Sequence, residues 1–278
     1  MQLAPFSWQA MLAASLAVLS CMPATAEESS AGQKAAAVVT DRITSRDCAG
    51  AVADLKTGLK NDFPEVALLA GSMYEHGVCV PRDWNRAVPF YIQAWQGGVE
   101  SAADRLAAGY AAPENGTDTA AALWWASRRP RHVVRPEGMA TCAVSDDAAK
   151  DIDRFVAELQ TWQPERLAAC NYMTGVMNML SAESNYPVLA LRYHVSGDVI
   201  LRFLPGVPRI EVQQGVLPEL QHEGSVEQDL KRDRAKTRLA GFENALREVA
   251  DRALARYPRP AGIPADALVR VQYRFNTQ

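Results

Sequence analysis

Apolar residues recur at helical spacing through much of the chain, and near its end they fall at every second position. From Gly197 to Phe203, Val199, Leu201 and Phe203 share one face while Asp198, Ile200 and Arg202 share the other, the alternation of a strand with one buried side. The segment after Leu268 repeats this pattern: Val269, Val271, Tyr273 and Phe275 face inward, and Arg270, Gln272 and Arg274 face water. A short run from Arg209 to Gln213 predicts a further strand, and Leu239, Phe242, Leu246, Val249, Ala253 and Leu254 form one apolar stripe of a helix. The order strand, strand, helix, strand predicts a small α+β layer pair over residues 186–278.

The first half repeats itself. The segments starting at Asp47, Asp83 and Asp118 align, with Ala51, Ala87 and Ala122 in register and the bulky Leu55, Tyr91 and Trp125 within one or two positions. Tyr74 and Tyr110 also match, giving a period of 34 to 36 residues. Each unit reads as two helices. An aspartate before each first helix accepts from free backbone N–H groups and complements the positive helix end. Small alanines let paired helices approach, and an aromatic fills the gap between them. Gly77 ends a helix and Pro81 prevents its continuation, so the stretch from Gly77 to Asp83 is expected to be a turn between hairpins. These helices occupy residues 45–130.

Residues 131–185 are expected to be a helical connector, with Asp146 and Asp147 as helix caps and a second helix beginning at Pro164. Dispersed arginines in a connector, here Arg128, Arg129, Arg131 and Arg135, are expected to form a solvated surface, with an anionic site as the alternative.

Composition narrows the class of protein. The net charge is −3 and charged residues make up 22%, without the basic excess that neutralises phosphates, so nucleic acid is not an expected partner. Met11 to Leu19 is an apolar run followed by Pro23 and Ala24-Thr25-Ala26, which predicts a signal peptide over residues 1–26 with cleavage after Ala26. The run is too short for a stable span of about 20 residues. Lipidation at Cys21 is the alternative, and membrane contact is expected only if the N-terminal segment is retained or Cys21 carries lipid. After export Cys48, Cys79, Cys142 and Cys170 remain, an even set in an oxidising compartment, so two disulfides are expected. Three pairings are open to four cysteines, and closeness in sequence favours Cys48 with Cys79 and Cys142 with Cys170.

The residues Ala67, Tyr74, Gly77, Asp83, Ala87, Tyr91, Ala94, Ala103, Tyr110, Gly116, Asp118, Ala122 and Trp124-Trp125 resemble the Sel1-like repeat, over about residues 47–128. That resemblance implies an α-solenoid with a concave protein-binding surface, as in tetratricopeptide repeats. In an antiparallel hairpin of this kind the helix start at Cys48 lies near Gly77, within reach of Cys79. Further on, Tyr186-Pro187, Gly197-Asp198-Val199, the stretch from Ala245 to Pro260 and the closing residues Val269 to Asn276 resemble the C-terminal domain of the TonB family. That family pairs its last strand with a short segment of an outer-membrane receptor, which implies Val269, Arg270, Val271, Gln272, Tyr273, Arg274 and Phe275 as partner-binding residues. The expected protein is therefore periplasmic, non-catalytic and a binder of other proteins of the Gram-negative cell envelope, a TonB-dependent outer-membrane receptor among the candidates. The alternative is a TonB-like energy transducer for receptor-dependent transport, which requires an N-terminal anchor.

Candidate chemistry elsewhere is sparse. His76, His132, His194 and His222 are scattered, and His76 with Cys79 lacks the second pair of ligands that a structural zinc site needs. The serines of Ser181-Ala182-Glu183-Ser184 have no glycine elbow. Trp124, Trp125 and Tyr91 read as core rather than a stacking site, and Met173, Met177 and Met179 as packing rather than a copper site. No enzyme activity, metal or cofactor is expected.

Overall fold

The computed structural model describes residues 25–128, 136–184, 187, 190, 197–214 and 241–275. Among them are nine α-helices and one three-stranded antiparallel sheet. Residues 1–24, which carry most of the expected signal peptide, and Leu239 of the expected apolar stripe lie outside the described residues.

The helical part starts earlier than the sequence pattern announced. Helix α1 spans Thr25–Thr44, across the expected cleavage point, and precedes α2 (Cys48–Lys60), α3 (Pro64–His76), α4 (Trp84–Gln96), α5 (Ser101–Ala111) and α6 (Thr119–Ala126). Val39 is fully buried, and Ala35, Ala36 and Ile43 pack beside it against Ala51, Val66 and Ala70 of α2 and α3. That one-sided stripe makes α1 the first layer of the helical stack.

The three repeat aspartates cap as their chemistry requires. Asp47, Asp83 and Asp118 accept from the backbone N–H groups of Gly50, Arg86 and Ala121 at 2.9, 3.1 and 2.9 Å. Two of them also donate their own N–H to the repeat tyrosines one hairpin back, Asp83 to Tyr74 and Asp118 to Tyr110, both at 2.9 Å. The same bond at equivalent positions fixes how each hairpin follows the last. Ala51, Ala87 and Ala122 are buried, as are Leu55 and Tyr91. Gly109 shows why small residues are needed: a Cβ there would lie 2.0 Å from the Trp84 ring. Gly77 closes α3 in the left-handed conformation, φ 69°.

Cys48, at the start of α2, is bonded to Cys79, just beyond the end of α3, so these two helices run in opposite directions. The second disulfide joins Cys142 to Cys170. It fastens the region after residue 136 to α8 (Pro164–Glu183), which follows α7 (Ile152–Leu159). Pro164 is the first residue of α8, but the cap of α7 is Asp151 instead of Asp146 or Asp147. The reason is backbone geometry. Asp151 is extended (φ −138°, ψ 131°) and accepts from Arg154 N at 3.0 Å, whereas Asp147 is helical and spends its carboxylate on the Arg154 guanidinium at 2.8 Å.

Strands β1 (Gly197–Leu204), β2 (Arg209–Gln214) and β3 (Val269–Phe275) form a sheet of order β2-β1-β3, with helix α9 (Phe242–Arg256) between β2 and β3 in the chain. Leu201 pairs with Val212 on one side and Val271 on the other. Val199, Leu201 and Phe203 are fully buried, as the alternation predicts. The largest apolar cluster joins Leu123 of α6, Phe155 of α7, Met177 of α8, Phe203 of β1, Val249 of α9 and Val269 of β3, so one core runs across residues 130 and 185. Met173, Met177 and Met179 are buried in it.

Both disulfides are expected to add stability through the unfolded chain. Replacing Cys48 and Cys79 by serine opens a loop of sequence separation 31 and should cost about 3 kcal/mol in urea unfolding, with faster amide exchange concentrated in α1 to α3.

Candidate functional site

Among the described residues, two places bring chemistry-bearing residues together: the outer edge of β3 and a cleft between the helical stack and α9.

Of the seven residues expected to bind a partner, Val269 and Phe275 are buried in the core, and Phe275 stacks on Phe242 at 4.5 Å. Val271 and Tyr273 are half-buried. Arg270, Gln272 and Arg274 are exposed on the opposite face. Gln272 donates to Asp198 Oδ2 at 2.5 Å, and Arg274 lies 3.4 Å from Asp198 Oδ1. Asp198 is buried beneath them although it sits on the polar face of β1. β3 stands at one side of the sheet, bonded to β1 along its length. Its other side meets Glu137 in an isolated bridge: Glu137 N–H donates to the Arg270 carbonyl at 2.8 Å, and Arg270 N–H donates to the Glu137 carbonyl at 3.0 Å. Because alternate residues of an antiparallel strand aim their backbone groups the same way, Gln272 and Arg274 also aim theirs outward.

The cleft has a volume of about 570 Å³ and is lined by Glu75, His76, Arg82, Arg105, Glu183 and Arg256 among others. Glu75, on the last turn of α3, is only 2% exposed. Its carboxylate accepts from the Tyr91 hydroxyl at 2.6 Å and from Arg256 of α9 at 2.9 Å. Arg256 also reaches Glu114 at 2.8 Å, and Arg82 reaches the same carboxylate at 3.5 Å. Glu183 at the end of α8 lies between Arg105 of α5 and Arg252 of α9, at 3.2 and 2.9 Å. α3, α8 and the turn at Glu114 are thus tied to α9 by charge-assisted bonds, and α5 joins them through Glu183.

Burial tends to raise the Glu75 pKa, but Arg256, His76, the Tyr91 hydroxyl and Arg105 outweigh it and hold the carboxyl below its ordinary value of 4.5. Burial depresses His76, which Glu75 only partly offsets. Tyr91 is pushed well up, by burial first and then by the Glu75 charge. The group is therefore a carboxylate, a neutral tyrosine and paired guanidinium ions, a set suited to holding α9 in place. Nothing in the sequence pattern announced it except Glu75 itself, a charge on the same helix as the buried Ala67, Ala70 and Met73.

The remaining candidates have structural surroundings. Trp124 meets Phe155 edge-on at 5.3 Å, and Trp125 meets Trp95 at 5.3 Å. Arg128 lies over Trp124 at 3.7 Å and donates to the Ala149 carbonyl. Arg129, Arg131, Arg135, His132, His194 and His222 fall outside the described residues. Among the described residues no group of three His, Cys, Asp or Glu is arranged to hold a metal ion, and no helix is long and apolar enough to cross a membrane. No family model, curated protein or solved structure matches the chain.

A depressed carboxyl stabilises the fold above its unfolded pKa, and the contribution is lost as pH falls through the folded one. Glu75→Gln should cost about 3 kcal/mol at neutral pH. In urea titrations below pH 4.5 the gap between the variant and the wild type should shrink.

Proposed function

We propose that the chain is an exported, non-catalytic binding protein of the Gram-negative cell envelope that captures extended segments of other proteins on the outer edge of β3. The observation that carries this reading is the position of β3, with Gln272 and Arg274 turned outward and unmatched by another strand among the described residues. The resemblance of the last ninety or so residues to the TonB C-terminal domain supports it, and so does the resemblance of residues 47–128 to Sel1-like repeats, whose stacked hairpins form a second protein-binding surface. The two disulfides fit an oxidising compartment. A TonB-dependent outer-membrane receptor is one candidate partner, and a TonB-like energy transducer is the second reading, favoured only if the apolar run at Met11–Leu19 stays on the mature chain. N-terminal sequencing of the mature protein separates the two, since a start at Glu27 removes the anchor that transduction needs.

Proline at an outward position removes the N–H a guest strand needs and leaves the ladder to β1 intact. Gln272→Pro and Arg274→Pro should each reduce by about tenfold the recovery of crosslinked envelope proteins, with unchanged circular dichroism. Full recovery of every captured protein with both variants folded would refute edge pairing.

A further inference from the structure

A cavity of about 420 Å³, separate from the Glu75 cleft, lies where three stretches of chain converge: the turn after α5, the first turns of α8, and the residues just beyond α9. Its walls are mainly apolar, with Pro113, Pro164, Pro258 and Pro260 joined by Leu167 and Tyr257. None of the described residues that line it is charged. An ion entering such a place sheds water without gaining a counter-ion, so the walls select against charge. The volume is near the lower end for ligand sites, about 300–1,000 Å³. It suits one ring and its substituent better than a length of peptide.

Two polar groups in these walls have no bonding partner. Asn171 donates through Nδ2 to the Ala111 carbonyl at 3.1 Å, which fixes its orientation, since a flipped carboxamide would set oxygen against oxygen. Its Oδ1 is then buried and unpartnered. Tyr172, the next residue on α8, is 2% exposed, and its hydroxyl is likewise buried and unpartnered. Burial pushes the Tyr172 pKa up to about 12 although the Arg259 charge works against it, so the hydroxyl stays protonated and able to donate. Arg259 stands between Pro258 and Pro260, and its action on the hydroxyl places that group near this wall of the cavity. Tyr257, in the same walls, does what buried tyrosines ordinarily do and donates to the Ala108 carbonyl at 2.8 Å. Buried groups left without a bond destabilise the fold, and a guest that supplies both missing partners reverses that loss.

We propose that this cavity binds a small neutral molecule with an apolar body and one amide group. The amide N–H donates to Asn171 Oδ1, its carbonyl accepts from the Tyr172 hydroxyl, and the apolar body lies against the prolines, Leu167 and Tyr257. An amide carries a donor and an acceptor on separate atoms, to meet two separate side chains, and stays uncharged where a carboxylic acid would ionise. Because both polar atoms are buried in the wall, the Asn171 and Tyr172 side chains shift toward the guest as it seats. The site lies apart from the β3 edge and does not depend on strand pairing there.

Benzamide, acetophenone and benzoate, matched in size and titrated into the full nitrogen-15-labelled protein, test this. Benzamide should move the backbone amide signals of Ala168, Asn171 and Tyr172. Acetophenone, which lacks the N–H, and benzoate, which is charged, should each bind about tenfold more weakly. Tyr172→Phe should keep or gain stability in urea, because the hydroxyl it removes has no partner, yet bind benzamide about tenfold more weakly. Ala168→Trp, which fills the cavity from an exposed position on α8, should keep its circular dichroism and lose benzamide binding. Equal affinities for the three probes, or no shifts on α8 at millimolar benzamide, as for a cavity that takes up water alone, would overturn the proposal. So would benzamide binding that survives Ala168→Trp, because the ligand then sits elsewhere. A clear loss of stability in Tyr172→Phe would show that the hydroxyl is already bonded in the free protein and would overturn the amide assignment.

Discussion

One buried carboxylate holds the architecture together. Glu75 sits at the end of α3, almost out of contact with water, and its charge is balanced by Arg256 from a helix 181 positions away in sequence. A buried charge without a partner costs several kcal/mol, so the helical stack and α9 are each incomplete without the other. Around this pair Arg256 reaches Glu114, Tyr91 donates to Glu75, and Glu183 ties both Arg105 and Arg252. The apolar core does the same with less specificity, since Tyr257 docks its ring on Gly175 and donates to the Ala108 carbonyl at 2.8 Å. The ion pairs set the seat of α9, and α9 with its neighbours sets where the sheet presents β3.

That order of dependence explains which parts were legible in the sequence. Local rules act on adjacent residues, and they succeeded. Asp47, Asp83 and Asp118 cap helices, Gly77 ends one, Pro164 starts one, and Val199, Leu201 and Phe203 turn inward because each outcome needs only a few neighbours. The disulfide pairing was readable for a related reason: each bond joins cysteines about 30 positions apart, the distance at which a helical hairpin or a helix and its preceding turn come together.

The parts that were not legible are those in which two distant segments decide jointly. Asp151 and Asp147 are equally good caps by residue type, and only the extended backbone at Asp151 and the Arg154 contact of Asp147 separate them. The stripe Ala35, Ala36, Val39 and Ile43 has helical spacing, but next to an expected cleavage site it had no evident surface to cover until α2 and α3 were in place. Glu75 with Arg256, and Glu137 with Arg270, carry no spacing signal at all. A charge on the face of a helix that otherwise carries buried apolar residues is the one hint that a distant cation is waiting for it.

The Glu75–Arg256 pair couples the helical stack to the sheet-bearing region. Its most direct test is urea unfolding of Arg256→Met followed by two probes, tryptophan fluorescence, which reports Trp84, Trp95, Trp124, Trp125 and Trp162 in the helical part, and amide exchange along β3. Transitions should coincide in the wild type, whereas the variant should lose β3 protection at lower urea than the fluorescence change, with about 3 kcal/mol lost at the sheet. Coincident transitions in both proteins, with a stability difference under about 0.5 kcal/mol, would contradict it.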